Sequence, residues 1–439
     1  MGNDGTRVKR RNLKSINPTK DQDMKSMKTF RHLAVLAAIG APLTSALATD
    51  GYFSHGTGMK AKGMGGASVT STDNTFSGAN NPAAAAFAGN RFEGGVDIFM
   101  PDRGMSRTGA GPLNADVSSD SKTFFIPELG YNKTVSDNIS TGVTVYGNGG
   151  MNTDYAGGQI NCGQGAANVL CGANGLGVDL MQLVVAPTVA YKLNANHSVG
   201  ISPLLVYQQF KAKGLQAFAQ NSGTPNNVSN TGTDSSSGFG VRLGYLGKLN
   251  DSISIGASYA PKIKMGKFEK YSGLFADKGS FDIPENYTLG IGFQATPTVN
   301  VALDYQRINY SGVTSISNPS TNRVPLGFSG GPGFGWSDIN VFKAGVQWQA
   351  TPVLTLRAGL NISDNPIQSR DVSFNIVAPG VTTIHITLGG TYALSPTTEL
   401  TVAYMHAPKK SVSGQSLLAG TETIRMSQNS LGIQFGMKF

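Results

Sequence analysis

Residues 51–87 read GYFSHGTGMKAKGMGGASVTSTDNTFSGANNPAAAAF. This stretch decides the fold, because it is the longest part of the chain behind the leader that lacks the period-2 alternation of a strand. It is small, Gly- and Ala-rich and irregular. Everything after Asn90 does alternate, in short segments that end at Phe439. One irregular block followed by one long run of strands is the layout of a plugged membrane β-barrel. A closed barrel leaves no unpaired edge, and an irregular segment survives at membrane depth only inside it.

Upstream of the block, Leu33 to Ala41 is the longest apolar run, far below the roughly 20 residues of a membrane helix. Lys25, Lys28 and Arg31 precede it, and Ala46-Leu47-Ala48 offers an A-x-A cleavage site before Thr49. The reading is a secretory signal within residues 1–48, whose first 23 residues make an over-long leader, Met24 or Met27 being the more ordinary start. Residues 49–90 are then the plug, or hatch, and 91–439 the barrel. The leader carries nine of the 35 Lys and Arg and three of the 26 Asp and Glu, so the formal charge falls from +9 for the whole chain to +3 without it. That balance gives no case for a nucleic-acid partner.

Composition agrees with an all-β reading: 57 Gly, 39% hydrophobic and 14% charged residues among 439. Downstream, Arg91 to Met100 sets Phe92, Val96, Ile98 and Met100 against Glu93 and Asp97. Segments then pair across tight turns at 136–138, 194–197, 250–251, 296–298, 351–352 and 395–397. The last, Ser430 to Phe439, sets Leu431, Ile433, Phe435 and Met437 against Gly432, Gln434, Gly436 and Lys438. The count is fourteen strands, six short turns alternating with seven long Gly/Ser/Asn-rich loops. Short turns on one side and long loops on the other predict a 14-stranded antiparallel transmembrane barrel of the bacterial outer membrane, with the short turns in the periplasm. A soluble β-sandwich would explain neither that alternation nor the apolar final strand.

Cys162 and Cys171 share one Gly/Asn-rich loop, and in an exported chain a disulfide is the expected state. No metal spacing emerges from the five dispersed His residues, and no cofactor site is visible. Gly56-x-Gly58-x-x-Ala61 imitates a dinucleotide fingerprint without the strand and βαβ unit that would give it meaning. Gly327-Phe328-Ser329-Gly330-Gly331 matches G-x-S-x-G, so an outer-membrane esterase is one alternative, although the match lies in a loop without a strand-turn-helix elbow. The chain reads as a channel and not an enzyme; a general porin is the other alternative. Arg242, Lys343 and Arg357 fall on polar strand faces, where they would hold the carboxylate headgroup of an amphiphile, or pair with Asp97 or Asp304 as in any polar lumen. Gly147-Asn148-Gly149-Gly150 interrupts the third strand, as a bend would, or ends it at Tyr146.

Four stretches carry a family resemblance: GYFSHGTGMKAKGMGGASV (51–69), ANNPAAAAFAGNR (79–91), FFIPELGY (124–131) and YGNGGMNTDYAGG (146–158). With the strand series that follows, the chain resembles the FadL family of outer-membrane hydrophobic-compound channels, which includes long-chain fatty acid and toluene-type transporters. The resemblance implies a hatch containing Asn81, Pro82 and Ala83, a kinked third strand at Gly147, Asn148, Gly149 and Gly150 forming a lateral opening, and passive diffusion through an apolar pocket into the outer leaflet. The implied partners are a fatty acid or aromatic hydrocarbon and membrane lipid, the implied state a monomer. The GYFSHG form lies closer to the toluene branch.

Overall fold

The computed structural model describes residues 1–2, 50–163 and 165–439. The expected signal and its cleavage site fall on residues 1–48, which apart from the first two lie outside the described residues. Among the described residues no helix is long and apolar enough to cross a membrane. Crossing therefore falls to strands.

Fourteen strands build the wall. They are β1 (Arg91–Thr108), β2 (Phe124–Thr134), β3 (Ile139–Tyr155), β4 (Leu176–Lys192), β5 (His197–Lys213), β6 (Asp234–Lys248) and β7 (Ile253–Ala260). There follow β8 (Asn286–Thr296), β9 (Val299–Ile308), β10 (Ile339–Thr351), β11 (Leu354–Ser363), β12 (Ile384–Ala393), β13 (Thr398–Gln415) and β14 (Thr421–Lys438). Each pairs antiparallel with the next, and β14 pairs with β1 from Arg91↔Lys438 to Thr108↔Thr421, which closes the cylinder. A short strand, Ala115–Ser118, adds to the outer end of β1.

The period-2 pattern sorts the side chains. Ile291, Leu303, Ala344, Leu360 and Ile386 form one cross-strand rung facing outward, with Leu303 54% and Ile386 50% exposed. One residue along, Asp304, Lys343, Asn361 and His385 form the corresponding inward rung, all buried. Such continuous apolar bands far exceed the few hundred Å² a soluble monomer exposes. An apolar exterior around a polar interior is the physical requirement of a barrel in lipid.

Several strands run longer than the sequence suggests, β14 among them, which begins at Thr421 and not at Ser430. His406 is the expected end of β13 because Pro408 follows, and a proline has no N–H for a ladder. The ladder instead shifts register between Ala407 and Lys410, absorbs the proline and continues, leaving only residues 416–420 between β13 and β14. β1 likewise passes Met100 and reaches Thr108, paired to β14 throughout.

The residues of the irregular block, called the plug below, are mostly buried and bond to inward-facing groups of the wall, an arrangement consistent with a plug. Its regular pieces are one turn of helix α1 (Met59–Lys62) and 3₁₀ turns at Phe76–Gly78 and Pro82–Ala86. Asn81 caps the last of these: its Oδ1 accepts from Ala83 N at 3.1 Å, and its Nδ2 donates to Val69 O at 2.7 Å and Tyr245 O at 2.9 Å. The wall is glycine where this turn presses on it. A Cβ on Gly200 would stand 2.3 Å from Pro82 C, and one on Gly244 2.1 Å from Asn81 Oδ1.

Charge fixes the block from the other side. Lys60 reaches Glu93 of β1 at 3.1 Å and Glu399 of β13 at 2.6 Å, while Lys62 reaches Asp97 of β1 at 2.8 Å and Glu128 of β2 at 2.5 Å. Burial alone would pull both ammonium groups down, but the facing carboxylates outweigh it and hold each above its ordinary value. Removing one partner of such a pair leaves buried charge uncompensated, at a cost of about 3–5 kcal/mol. Lys62→Met should therefore loosen the plug, seen as protease cleavage within 50–90 and raised ion conductance in a planar bilayer. Adding Asp97→Asn and Glu128→Gln should restore most of the closure. Unchanged conductance in the single variant would show that these pairs do not hold the plug.

Candidate functional site

The site begins at a break in the wall. β2 and β3 are joined by a ladder only from Leu129↔Val145 to Thr134↔Ser140. Above it, β2 runs on to Phe124 and β3 to Tyr155, with no further backbone pairing between them among the described residues. On its other side β3 stays paired to β4, with a register shift between Gly147 and Gly149 that leaves Asn148 as the extra residue. A bulge of this kind bends a strand and turns it from its neighbour. The Gly-Asn-Gly-Gly run thus carries a bulge at the level where the β2–β3 ladder has already ended, and that break in the pairing is called the window below.

Residues from three places close the window. Its roof is Arg103 of β1, which is buried and donates to Asn152 O of β3 and Ser121 O, beside a hydrogen bond from Asp120 N to Asp154 O at 2.7 Å. Arg103 also lies over the Phe124 ring at 5.5 Å. Its back is the start of the plug: Gly150 N donates to Tyr52 O at 3.2 Å, Ser54 N to Asn148 O at 3.4 Å, and Phe53 bridges Gly149. A Cβ on Gly149 would stand 2.1 Å from Tyr52 O, so only glycine admits this approach. The plug's start is itself held by Tyr310, whose hydroxyl donates to Asp50 O at 2.6 Å and accepts from Tyr52 N at 3.2 Å. Burial pushes the Asp50 carboxyl up to about 6, with Lys343 and Asn361 acting against it.

Above the plug the lumen is apolar. A cavity of about 50 Å³ is lined by Leu170, Val178, Phe210, Leu215, Phe275 and Phe334 among others, with Ser315 as its one polar side chain and no charged one. Two trails of rings lead from it to the window. Phe275 meets Phe281 at 5.0 Å and Phe281 meets Tyr52 at 6.1 Å; Phe334 meets Trp336 at 6.2 Å and Trp336 meets Tyr52 at 6.1 Å. Phe218 and Phe374, from two different loops, pair edge to face at 5.4 Å at the rim of the cavity. Below Phe53 the character reverses. A cavity of about 60 Å³ is lined by Asn80, Asn148, Asn286, Asp304 and Gln306, and a periplasmic vestibule of about 530 Å³ by Thr70, Ser71, Asp73, Gln294 and Gln347.

Arg242, Lys343 and Arg357, expected either to meet a ligand headgroup or to pair within a polar lumen, each have partners in the block or the wall beside it. Arg242 donates to Gly78 O, Ala79 O and the Tyr146 hydroxyl; Lys343 donates to His55 O at 3.1 Å with Asp50 at 3.9 Å. Arg357 reaches Gln347, Thr391 and Asp73. None lines the apolar cavity. A polar strand face is legible in sequence, but what lies against it inside a filled lumen is not. Cys162 and Cys171 are joined, in the loop that delivers Leu170 to the cavity. Ser329 donates to Asp277 and has no histidine hydrogen-bonded to it among the described residues. The residues missed in sequence are Lys60, Lys62 and Arg103; two lysines inside a Gly/Ala segment that must be buried were the available signal.

A family profile described as "Outer membrane protein transport protein (OMPP1/FadL/TodX)" matches residues 39–439. No curated protein matches the chain by sequence. Solved structures share the fold. The Pseudomonas putida toluene transporter TodX is 20% identical with a TM-score of 0.66, the match covering 88% of this chain and 99% of that one. The Ralstonia pickettii toluene transporter TbuX is 19% identical at a TM-score of 0.63, covering 88% and 99%, and a Pseudomonas aeruginosa FadL homologue 15% identical at 0.63, covering 89% and 100%.

Removing the roof is a direct test of the window. Arg103→Leu leaves the Asn152 and Ser121 carbonyls without their donor, at roughly 1–3 kcal/mol for each buried group. Hydrogen exchange followed by mass spectrometry should show faster exchange, by about tenfold or more, at residues 150–155, with residues 140–145 unchanged. Equal protection in both segments would mean that Arg103 does not hold the window shut.

Proposed function

The chain belongs to the OMPP1/FadL/TodX family of outer membrane transport proteins and is a hydrophobic-compound channel of the bacterial outer membrane; from that premise we propose that it passes neutral, ring-sized compounds, aromatic hydrocarbons before fatty acids, through the window into the outer leaflet. The observation that carries this reading is the pair of aromatic trails, which run from an apolar cavity without a cation to the break between β2 and β3. A fatty acid would bring a carboxylate into that lining, and burying an unpaired carboxylate is far costlier than burying a ring. The toluene transporters among the structural relatives point the same way.

The route follows from where water is. A hydrophobic solute continuing downward would meet the polar cavity and vestibule, losing roughly 0.8 kcal/mol for each CH₂ exposed. Leaving sideways through the window keeps it in apolar surroundings. The free volume of about 50 Å³ is below the ~150 Å³ that accepts a benzene-sized guest, so entry displaces the Phe218–Phe374 pair and exit displaces Tyr52–Ser54. The turn at Asn81-Pro82-Ala83 and the lysine clamps stay in place. Transport is diffusion down a gradient by a monomer, with no catalysis and no cofactor.

The test is uptake of labelled toluene and oleate by cells lacking their own hydrophobic-compound channel. Toluene should enter above the empty-vector control and oleate should not. Replacing Asn81-Pro82-Ala83 by Gly-Ser-Gly should alter toluene entry by freeing the plug from Gly200 and Gly244. Oleate entering in place of toluene would reverse the substrate assignment; entry of neither, with protein folded in the membrane, would overturn the channel reading.

A further inference from the structure

The two aromatic trails end on a polar atom that nothing in the closed channel uses. Tyr52 is fully buried, and its hydroxyl has no hydrogen-bond partner among the described residues. A buried phenol nearly always finds one, because an unmet hydroxyl forfeits its hydration. The Gln182 amide is its polar neighbour, at the margin of hydrogen-bonding geometry.

Gln182 belongs to a short row of buried amides. Its Oε1 accepts from Asn148 Nδ2 at 2.9 Å, and its Nε2 donates to Gln208 Oε1 at 3.1 Å. Gln208 Nε2 in turn donates to Phe281 O at 3.1 Å. The row follows one level of the wall, since Gln182 is in register with Gln208 on one side and Gly149 on the other. The inward neighbours along β4 and β5 are apolar: Leu180, Val184, Val206 and Phe210 are all buried in the same cluster. A polar row in an apolar lumen, at the window, beside an unmet hydroxyl, has the composition of a recognition point.

The free valences define what fits. The Tyr52 hydroxyl has a proton to donate, and Gln182 Oε1 has accepted only one hydrogen bond of the two it can take. One hydroxyl group satisfies both, accepting from Tyr52 and donating to Gln182. A bare hydrocarbon satisfies neither. A carboxylate finds no cation there, and the charge felt at the Tyr52 hydroxyl is the negative one of Asp282.

We propose that Tyr52 and Gln182 form a subsite for the hydroxyl of a neutral phenol or hydrophobic alcohol, so that the channel favours an oxygenated ring over the parent hydrocarbon. The proposal rests on the channel reading, which it narrows. Because the subsite includes Tyr52, its ligand sits against the segment that covers the window.

The experiment is equilibrium binding of p-cresol and of toluene to the full-length barrel in lipid nanodiscs, for the unaltered protein, Tyr52→Phe and Gln182→Met. Both substitutions keep the bulk of the side chain, and toluene affinity reports that the pocket is intact. The unaltered protein should prefer p-cresol, and each variant should lower the p-cresol to toluene ratio about three- to tenfold, as one hydrogen bond is worth. A ratio unchanged in both variants would overturn the subsite and leave Tyr52 a hydroxyl met only by water. Failure of toluene itself to bind would count against the channel reading, while p-cresol binding in the two variants would still decide the subsite.

Discussion

Lys60 and Lys62 against Glu93, Asp97, Glu128 and Glu399 are the interaction on which the rest depends. Two ammonium groups cannot enter a closed lumen without partners, and four carboxylates cannot line one without cations. Plug and barrel therefore complete each other. The pairing is also lopsided: its carboxylates stand on β13, β1 and β2, and Met59 N adds a bond at 2.9 Å to Gln434 of β14. Arg357 to Asp73 at 3.4 Å and Lys343 to Asp50 at 3.9 Å add ties from β11 and β10. The block meets β3 through backbone contacts at Tyr52 to Ser54 and through Thr144, which donates to Thr75 O and accepts from Gly78 N.

The same division runs along the barrel axis. Rings and aliphatic chains fill the lumen above Phe53, amides and hydroxyls fill it below, and the change occurs at the level of the window. An apolar solute is held in the upper half by the hydrophobic effect and excluded from the lower half by the same effect.

Much of this was legible in the sequence, and the limits have physical causes. Alternation of period 2 gave the strands and their faces, because inward and outward side chains meet different solvents. The glycine run marked the place of the register shift between Gly147 and Gly149, because glycine that interrupts an alternating strand favours a bulge or a bend. The strand ends at Met100 and His406 were placed too early: the ladder runs through Pro101 without a shift and absorbs Pro408 in a bulge. The roles of Arg242, Lys343 and Arg357 could not be read at all. Their inward faces follow from parity, but the carbonyls of Gly78, Ala79 and His55 that they meet come from a segment with no periodicity to place it. Lys60 and Lys62 were the reverse case: a burial argument applied to the plug would have demanded acidic partners, and Glu93 and Asp97 had already been set on the inward face.

A window in a membrane wall raises the question of why it stays shut. In hydrocarbon an unpaired N–H or C=O costs several kcal/mol, which is why ladders are closed in the first place. β3 breaks that rule above Val145, and its groups are met instead by the plug and by Arg103: Gly150 N by Tyr52 O, Asn148 O by Ser54 N, Asn152 O by the guanidinium. On the proposed route, drawing Tyr52 to Ser54 away would leave the first two groups unmet, which would make an open state costly in the absence of a solute. The unpaired stretch of β3 is thus met by backbone groups of residues 52–54 and by one side chain, Arg103.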